Sequence, residues 1–402
     1  MHDTFKEVHK IEKNLKSVPK SLKLLSLAFL IYSFSWGMIL PYFSIYLKSI
    51  VPNYSQVGFI ISLMSIVAAV ISIFIGDLID KVGRKKILLF AFVNYLIIGP
   101  IYTVTHSIGA LVAARVYHGV AAVGIWIPGR TYVRDISPAH KKSEYMGYFY
   151  TASALAYTIG PVFGALVITF FDIKSLFYVV GFAAIIAAAI VQHIPDSIKP
   201  KRSITQGLKD VMFKDKFIAK ELKDYTDEKS IGVKVTMISF LSKMSSAILV
   251  MTVALYINSI GGNLWQIGLV YSLMYLPFIF QFVFGEMVET VGSRKMLTTG
   301  ASLACVFFAS LFFANNIIYI LIFTLFGSTG LAMVAPVVSG YVSQMAKENN
   351  GEITGIYGAV ADMAAFTGPL VAGLIADMYG LNFVFIFAAI AMSFVIGIAR
   401  WM

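Results

Sequence analysis

The sequence predicts an all-α membrane protein: twelve transmembrane helices in two pseudo-symmetric six-helix bundles. Three observations predict it. The 402 residues are 58% hydrophobic and only 13% charged, whereas a soluble domain carries about 25% charged residues. The apolar runs each last roughly 20 residues, enough for a helix to cross about 30 Å of hydrocarbon, and they lack the period-two alternation of a β-barrel. Finally, one polar motif occurs twice. Gly76-Asp77-Leu78-Ile79-Asp80-Lys81-Val82-Gly83-Arg84-Lys85-Lys86 recurs as Gly285-Glu286-Met287-Val288-Glu289-Thr290-Val291-Gly292-Ser293-Arg294-Lys295, each copy in a short gap between long apolar runs.

The runs place spans at 24–47, 55–76, 87–105, 108–130, 145–170, 175–195, 234–258, 264–286, 296–314, 317–343, 353–376 and 381–400. Basic residues gather before span 1, in the 2–3 gap (Lys81, Arg84, Lys85, Lys86), in the 4–5 gap (Arg134, Lys141, Lys142) and in the long 6–7 gap, whereas the opposite gaps hold only Lys48 and Lys174. Lys and Arg accumulate on the cytoplasmic side, so both termini are expected in the cytoplasm of a multi-pass cell-membrane protein. The first 20 or so residues are charged and lack a signal-peptide apolar core, so span 1 is expected to act as an uncleaved signal. The organisation is then a cytoplasmic segment (1–23), a first bundle (24–195), a cytoplasmic linker (196–233) and a second bundle (234–402). Within the linker, Leu208, Val211, Met212, Phe217, Ile218 and Leu222 fall at loosely helical spacing, which predicts a short surface helix.

The same composition limits function. A net charge of +11 fits basic cytoplasmic loops rather than nucleic-acid binding. The single cysteine, Cys305, permits no internal disulfide. No zinc-type ligand cluster or phosphate-binding Gly-x-x-x-x-Gly-Lys-Ser loop is present, so no metal, no cofactor, no direct ATP drive and no enzymatic activity are expected. The expected partners are the lipid bilayer, a small-molecule substrate and protons, with the chain acting as a monomer.

The halves match beyond the repeated motif. Gln56-Val57-Gly58 corresponds to Gln266-Ile267-Gly268, Gly119 and Pro128 to Gly327 and Pro336, and Gly160-Pro161 to Gly368-Pro369, all at nearly one offset. Such constancy indicates internal duplication as a parallel repeat, an architecture common among transporters. In the repeated motif Gly76 is expected to let two helices approach closely and Gly83 to permit a tight turn. Asp80 can pair with Arg84 or face a helix amino terminus, and such a contact can form in one conformation and break in another. Gly76, Asp77, Asp80, Gly83 and Arg84 are therefore candidates for a conformational latch.

The motif resembles motif A of the major facilitator superfamily along its full length, and the resemblance extends over both six-helix halves. It implies that family's fold and a transporter working by alternating access. Leu111-Val112-Ala113-Ala114-Arg115-Val116-Tyr117-His118-Gly119 resembles the family's motif B, with His118 where Gln is usual, and the resemblance implies proton coupling through Arg115. Arg115 lies roughly 10 Å inside span 4. A charge at such depth costs about 2.5–3.5 kcal/mol on insertion scales, so it is expected to face protein or a wet cavity. His118 lies one turn deeper on the same face, and its imidazole is a second candidate for proton coupling. Ala156-Tyr157-Thr158-Ile159-Gly160-Pro161-Val162-Phe163-Gly164-Ala165 is similar to motif C, the mark of the drug:proton antiporter branch, with Ala at two Gly positions. Span 11 repeats part of it. Gly160, Pro161, Gly164, Gly368, Pro369 and Gly373 are expected to serve close helix packing.

Lys243 in span 7 and Asp362 in span 11 are deep charges expected at similar depth within one bundle, which predicts an ion pair. Span 1 lacks an acid, leaving Asp362 as the one deep carboxylate and the candidate proton carrier, with Arg115 as its counterpart in the other half. Tyr32, Trp36, Tyr117, Trp126, Tyr271 and Tyr275 are candidate cavity-lining aromatics, joined there by Lys243, because their faces are apolar and their tips form hydrogen bonds. The resulting expectation is proton-coupled efflux of amphipathic small molecules. Two alternatives stay open: an anionic metabolite clamped by Arg115 and Lys243, and a non-transporting membrane sensor.

Overall fold

In the computed structural model, residues 18–138, 141–199, 202–206, 231–345 and 352–402 are described. The linker helix expected around Leu208–Leu222 lies outside the described residues, as does most of segment 1–23. The first bundle holds α1 (Lys20–Lys48), α2 (Tyr54–Val82), α3 (Arg84–Val104), α4 (Ile108–Ile136), α5 (Lys142–Phe170) and α6 (Ser175–Gln192). The second holds α7 (Ile231–Ser259), α8 (Leu264–Ile279), α9 (Gln281–Val291), α10 (Ser293–Leu311), α11 (Ile317–Met345), α12 (Glu352–Tyr379) and α13 (Leu381–Arg400).

Among the described residues, ten helices are individually long and apolar enough to cross a membrane, and α8 with α9 makes an eleventh crossing bent by 46°. The bend comes one turn after Pro277, a residue that interrupts helical hydrogen bonding. The remaining helix, α10, is less apolar because Arg294 and Lys295 stand in its first turn. Prolines 41, 100, 128, 161, 336 and 369 lie inside other helices, where neighbouring helices can satisfy the backbone groups they free.

Several helices run past their expected ends. The repeated motif is not an extended loop: α2 continues to Val82 and α3 begins at Arg84, with Gly83 alone between them at φ 100°. Gly292 repeats this between α9 and α10 at φ 93°. A side chain rarely adopts that left-handed geometry, so glycine is required in both copies. Span 4 extends to Ile136 rather than ending at 130.

Small residues set the contacts within each bundle, as is usual where lipid supplies no hydrophobic drive between helices. A Cβ on Gly160 would stand 2.9 Å from the Gly37 Cα of α1, and one on Gly164 would strike the Met38 carbonyl. In the second bundle a Cβ on Gly368 would stand 2.8 Å from the Met244 carbonyl of α7.

The bundles meet mainly along two seams, α2 with α12 and α5 with α8, and α1 also touches α7. Gly58 is pressed against the Pro369 carbonyl, and Gly373 against the backbone of Tyr54 and Ser55. At the other seam a Cβ on Gly268 would lie 2.8 Å from the Pro161 carbonyl. Among the described residues, the inter-bundle hydrogen bonds and closest approaches all fall in the half of the molecule nearest Tyr54 and Asp377. That face is closed. On the opposite face, which carries both Gly83-type turns, a Cβ on Gly76, Gly147, Gly285, Gly340 or Gly358 would meet nothing within 4 Å. The expectation that Gly76 permits close helix approach is therefore not met: the two bundles stand apart there.

Candidate functional site

The cleft between the bundles on the open face is bordered by Arg130 of α4 and Tyr157 of α5 on one side and by Lys243 of α7, Tyr275 of α8 and Asp362 of α12 on the other. Lys243 is exposed and Asp362 half-buried although both lie mid-helix, because they face this cleft. The expected Lys243–Asp362 ion pair does not form. The charged neighbour of each is instead Arg130, from α4 of the opposite bundle. Arg130 is steadied by its own helix, its Nε donating to the Trp126 carbonyl at 3.2 Å. Its position within α4, clear of the helix end, explains why it reaches the cleft.

Arg115 is engaged elsewhere. Its Nε donates to the Ile60 carbonyl at 3.0 Å and its Nη2 to the Ile61 carbonyl at 2.6 Å, both in α2, while its guanidinium covers the Phe43 ring at 4.9 Å. Five N–H donors and no acceptor suit a guanidinium to bridging carbonyls. Arg115 therefore ties α4 to α2 and is not placed opposite Asp362. Its Nη1 lies 3.4 Å from His118 Nδ1, and Tyr102 Oη lies 3.1 Å from the same atom. Arginine can only donate, so in this contact Nδ1 is the acceptor, while Nε2 is buried with no hydrogen-bond partner. Trp36 stacks on His118 at 4.6 Å and 23°.

The aromatic candidates divide. Tyr275 of α8 stacks on Tyr157 of α5 across the bundle interface, at 5.6 Å and 27°. Beside Tyr275 a small cavity opens among Ser246, Val250, Met274, Phe278 and Ser328. Trp126 is half-buried against Phe29 at 5.4 Å. The others do not line the cleft. Tyr32 is buried in the first bundle with its hydroxyl on Tyr95 at 2.9 Å, and Trp36 is buried beside His118. Tyr271 is buried in the second bundle and donates to the Val250 carbonyl at 2.5 Å. Tyr117 turns to Asn94 of α3, again at 2.5 Å. Each of these tyrosine hydroxyls is satisfied inside a bundle.

The candidate latch forms one cluster within the first bundle. Arg84 Nη2 pairs with Asp80 at 2.6 Å and its Nη1 donates to the Ile79 carbonyl at 2.8 Å. Its Nε stands 2.9 Å from Asp135 at the end of α4, close enough for charge attraction but poorly aligned for a hydrogen bond. Asp77 pairs with Lys81 at 3.1 Å. The chain leaving α6 closes over the cluster: Ser197 Oγ donates to Asp135 at 2.6 Å, and Asp196 lies against Gly83.

Sequence reasoning overlooked Arg130, Tyr157 and Asp377; Tyr42, a span 1 aromatic expected to line the cavity, instead sets its hydroxyl against the Pro161 and Leu264 carbonyls. Arg130 was hidden by a span boundary drawn too early. Asp377 carried a readable signal, since a carboxylate in the last turn of a helix opposes the macrodipole and calls for a partner elsewhere.

The sequence pattern of the Major Facilitator Superfamily matches residues 25–232 and 235–402. The chain is 24% identical over 356 residues to the quinolone resistance protein NorA of Staphylococcus aureus strain COL, covering 85% of this chain and 86% of that protein. It is also 24% identical over 376 residues to the MFS-type transporter MJ1560 of Methanocaldococcus jannaschii, covering 91% and 93%. Among solved structures, the human organic anion transporter MFSD10 (TETRAN) superposes with a TM-score of 0.69 at 16% identity, over 95% of this chain and all of that one.

Proposed function

We infer substrate type and coupling from one premise: the chain belongs to the Major Facilitator Superfamily and is a membrane transporter. The reading is proton-coupled efflux of amphipathic small molecules by alternating access, carried out by a monomer. Both termini face the cytoplasm, so the open cleft is the cytoplasm-facing state and the Tyr54–Asp377 face is the outer one.

The observation that carries this reading is Asp362, a half-buried carboxylate in the cleft whose charged neighbour belongs to the other bundle. A carboxylate so placed is a proton carrier. Deprotonated, it attracts Arg130 or a cationic group of the substrate. Protonated, it releases both, and the bundles are free to reorient. Arg115 and His118 hold α2, α3 and α4 in register. Lys243, Tyr157, Tyr275 and the cavity beside them receive the substrate's polar and apolar parts. The relation to NorA, a quinolone resistance protein, supports efflux. The anion alternative loses its first clamp residue, because Arg115 is committed to carbonyls.

The test uses inside-out vesicles with an imposed acid-inside gradient, read by a pH-sensitive dye while lipophilic cations, sugars and organic anions are added in turn. Dissipation by lipophilic cations supports the reading. A response to anions alone removes it.

A further inference from the structure

The two seams that close the outer face are held by different chemistry. At the α2/α12 seam the Asp377 carboxylate reaches across the bundle boundary. Its Oδ1 accepts the Tyr54 N–H and its Oδ2 the Ser55 N–H, each at 2.8 Å. These are the first two amides of α2, which have no partner within their own helix. Asn53, the residue in the capping position, makes no side-chain cap. The second bundle thus supplies the cap that the first bundle's helix lacks, with a full negative charge at the positive end of a dipole.

The α5/α8 seam does the equivalent without charge. Helix α8 is capped by its own Asn263 and Gln266, each bond at 2.9 Å. Across the boundary the Tyr42 hydroxyl lies 3.1 Å from the Leu264 carbonyl and 3.0 Å from that of Pro161. Position 169, which corresponds to Asp377 in the duplication, is Thr169, and its hydroxyl donates to Ala165 of its own helix.

We propose that Asp377 is a proton-released latch on the outer gate: its carboxylate holds the outer face closed, and protonation from the outer solution opens the α2/α12 seam. Asp377 is exposed on that face. A proton on one oxygen leaves a hydroxyl, a poorer acceptor, against one of the two amides and removes the charge that attracts the helix terminus. Among the described residues, the charged or titratable groups facing Asp377 are the Lys48 ammonium and the Tyr54 phenol. Lys48 donates to the Pro52 carbonyl and lies 4.9 Å from the Tyr54 ring centre. Helices α7, α11 and α13 also pack on α12 but bring no charged side chain to that end. The latch rests on alternating access and is independent of the compound carried.

The test is a distance measurement across the outer face without substrate. Cysteines replace His106 and Asn315, exposed loop residues of opposite bundles, in a Cys305→Ser background. Spin labels are read by double electron–electron resonance in nanodiscs as the solution is acidified. The wild-type distribution should lengthen only as the pH falls below about 4, the ordinary range of an aspartate. Asp377→Asn should be shifted to long distances already at neutral pH, with the open-to-closed ratio raised about five- to thirty-fold and little further response to acid. Asp362→Asn should keep the response. Tyr54→Pro removes one of the two donors at a position where helices accept proline, and it should give an intermediate shift. It serves as the test should Asp377→Asn fold poorly. An unchanged acid response in Asp377→Asn, or no shift in Tyr54→Pro, overturns the latch, and so does loss of the response in Asp362→Asn alone.

Discussion

Gly58 of the first bundle lies directly against the backbone carbonyl of Pro369 in the second, and the duplication reproduces the contact in reverse, Gly268 against Pro161. Each half therefore contributes a glycine near the start of one helix and a Gly-Pro step in another, and the halves exchange them. A transporter that opens must break both contacts. Because glycine brings the backbones together without side chains at these two contacts, little has to be unpacked there when they separate.

Gly58→Val should splay the closed face. The added side chain meets a backbone carbonyl that cannot move aside, and overpacking costs about 1–3 kcal/mol, so the open-to-closed ratio should rise about tenfold or more in the spin-label measurement. Gly76→Val should leave those distances unchanged, because nothing lies within 4 Å of its Cβ position in this state. Its effect should appear as slowed transport, where the inner face must close.

Arg84→Ala should lower the thermal stability of the detergent-solubilised protein by about 1–3 kcal/mol. The arginine side chain is buried and serves two carboxylates at once. Asp135→Asn should cost more than Asp80→Asn, because the Asp135 side chain is 24% exposed and that of Asp80 is 64% exposed, and solvent screens the second pair.

His118→Gln should retain transport and proton coupling. His118 accepts a hydrogen bond from Arg115, and a glutamine carbonyl can accept the same bond. His118→Leu should lower folded yield, because it leaves the Arg115 donor facing an apolar side chain in a buried site. Equal transport assays on both variants, normalised to folded protein, separate the two outcomes.

The two arginines of α4 should fail in different ways. Arg115→Met removes the tie to the Ile60 and Ile61 carbonyls and should reduce melting temperature and yield. Arg130→Met should fold normally, since among the described residues its side chain bonds only to its own helix, yet uncouple substrate movement from the proton gradient. Melting curves paired with gradient dissipation on each variant check this.

Much of the fold was legible because hydrocarbon imposes a length and a composition on every span, and because the duplication repeats the glycine and Gly-Pro positions in both halves. Boundaries were less legible. Helices continue into polar sequence once Gly83 and Gly292 supply the only break, so spans 2, 3 and 4 were drawn short and Arg130 was left at an edge. The site was less legible still. Depth along a helix can be counted, but rotation and partner cannot, so Lys243 and Asp362 were paired by depth while the structure gives each of them Arg130. Tyr32, Trp36 and Tyr271 have the chemistry of a cavity wall, yet each finds its partners inside a bundle.

The most direct measurement is the proton gradient in inside-out vesicles with wild type and Asp362→Asn side by side. Lipophilic cations should dissipate the gradient in the wild type and fail to do so in Asp362→Asn, while the variant still binds them in equilibrium dialysis. Undiminished dissipation by Asp362→Asn would contradict the assignment of Asp362 as the proton carrier.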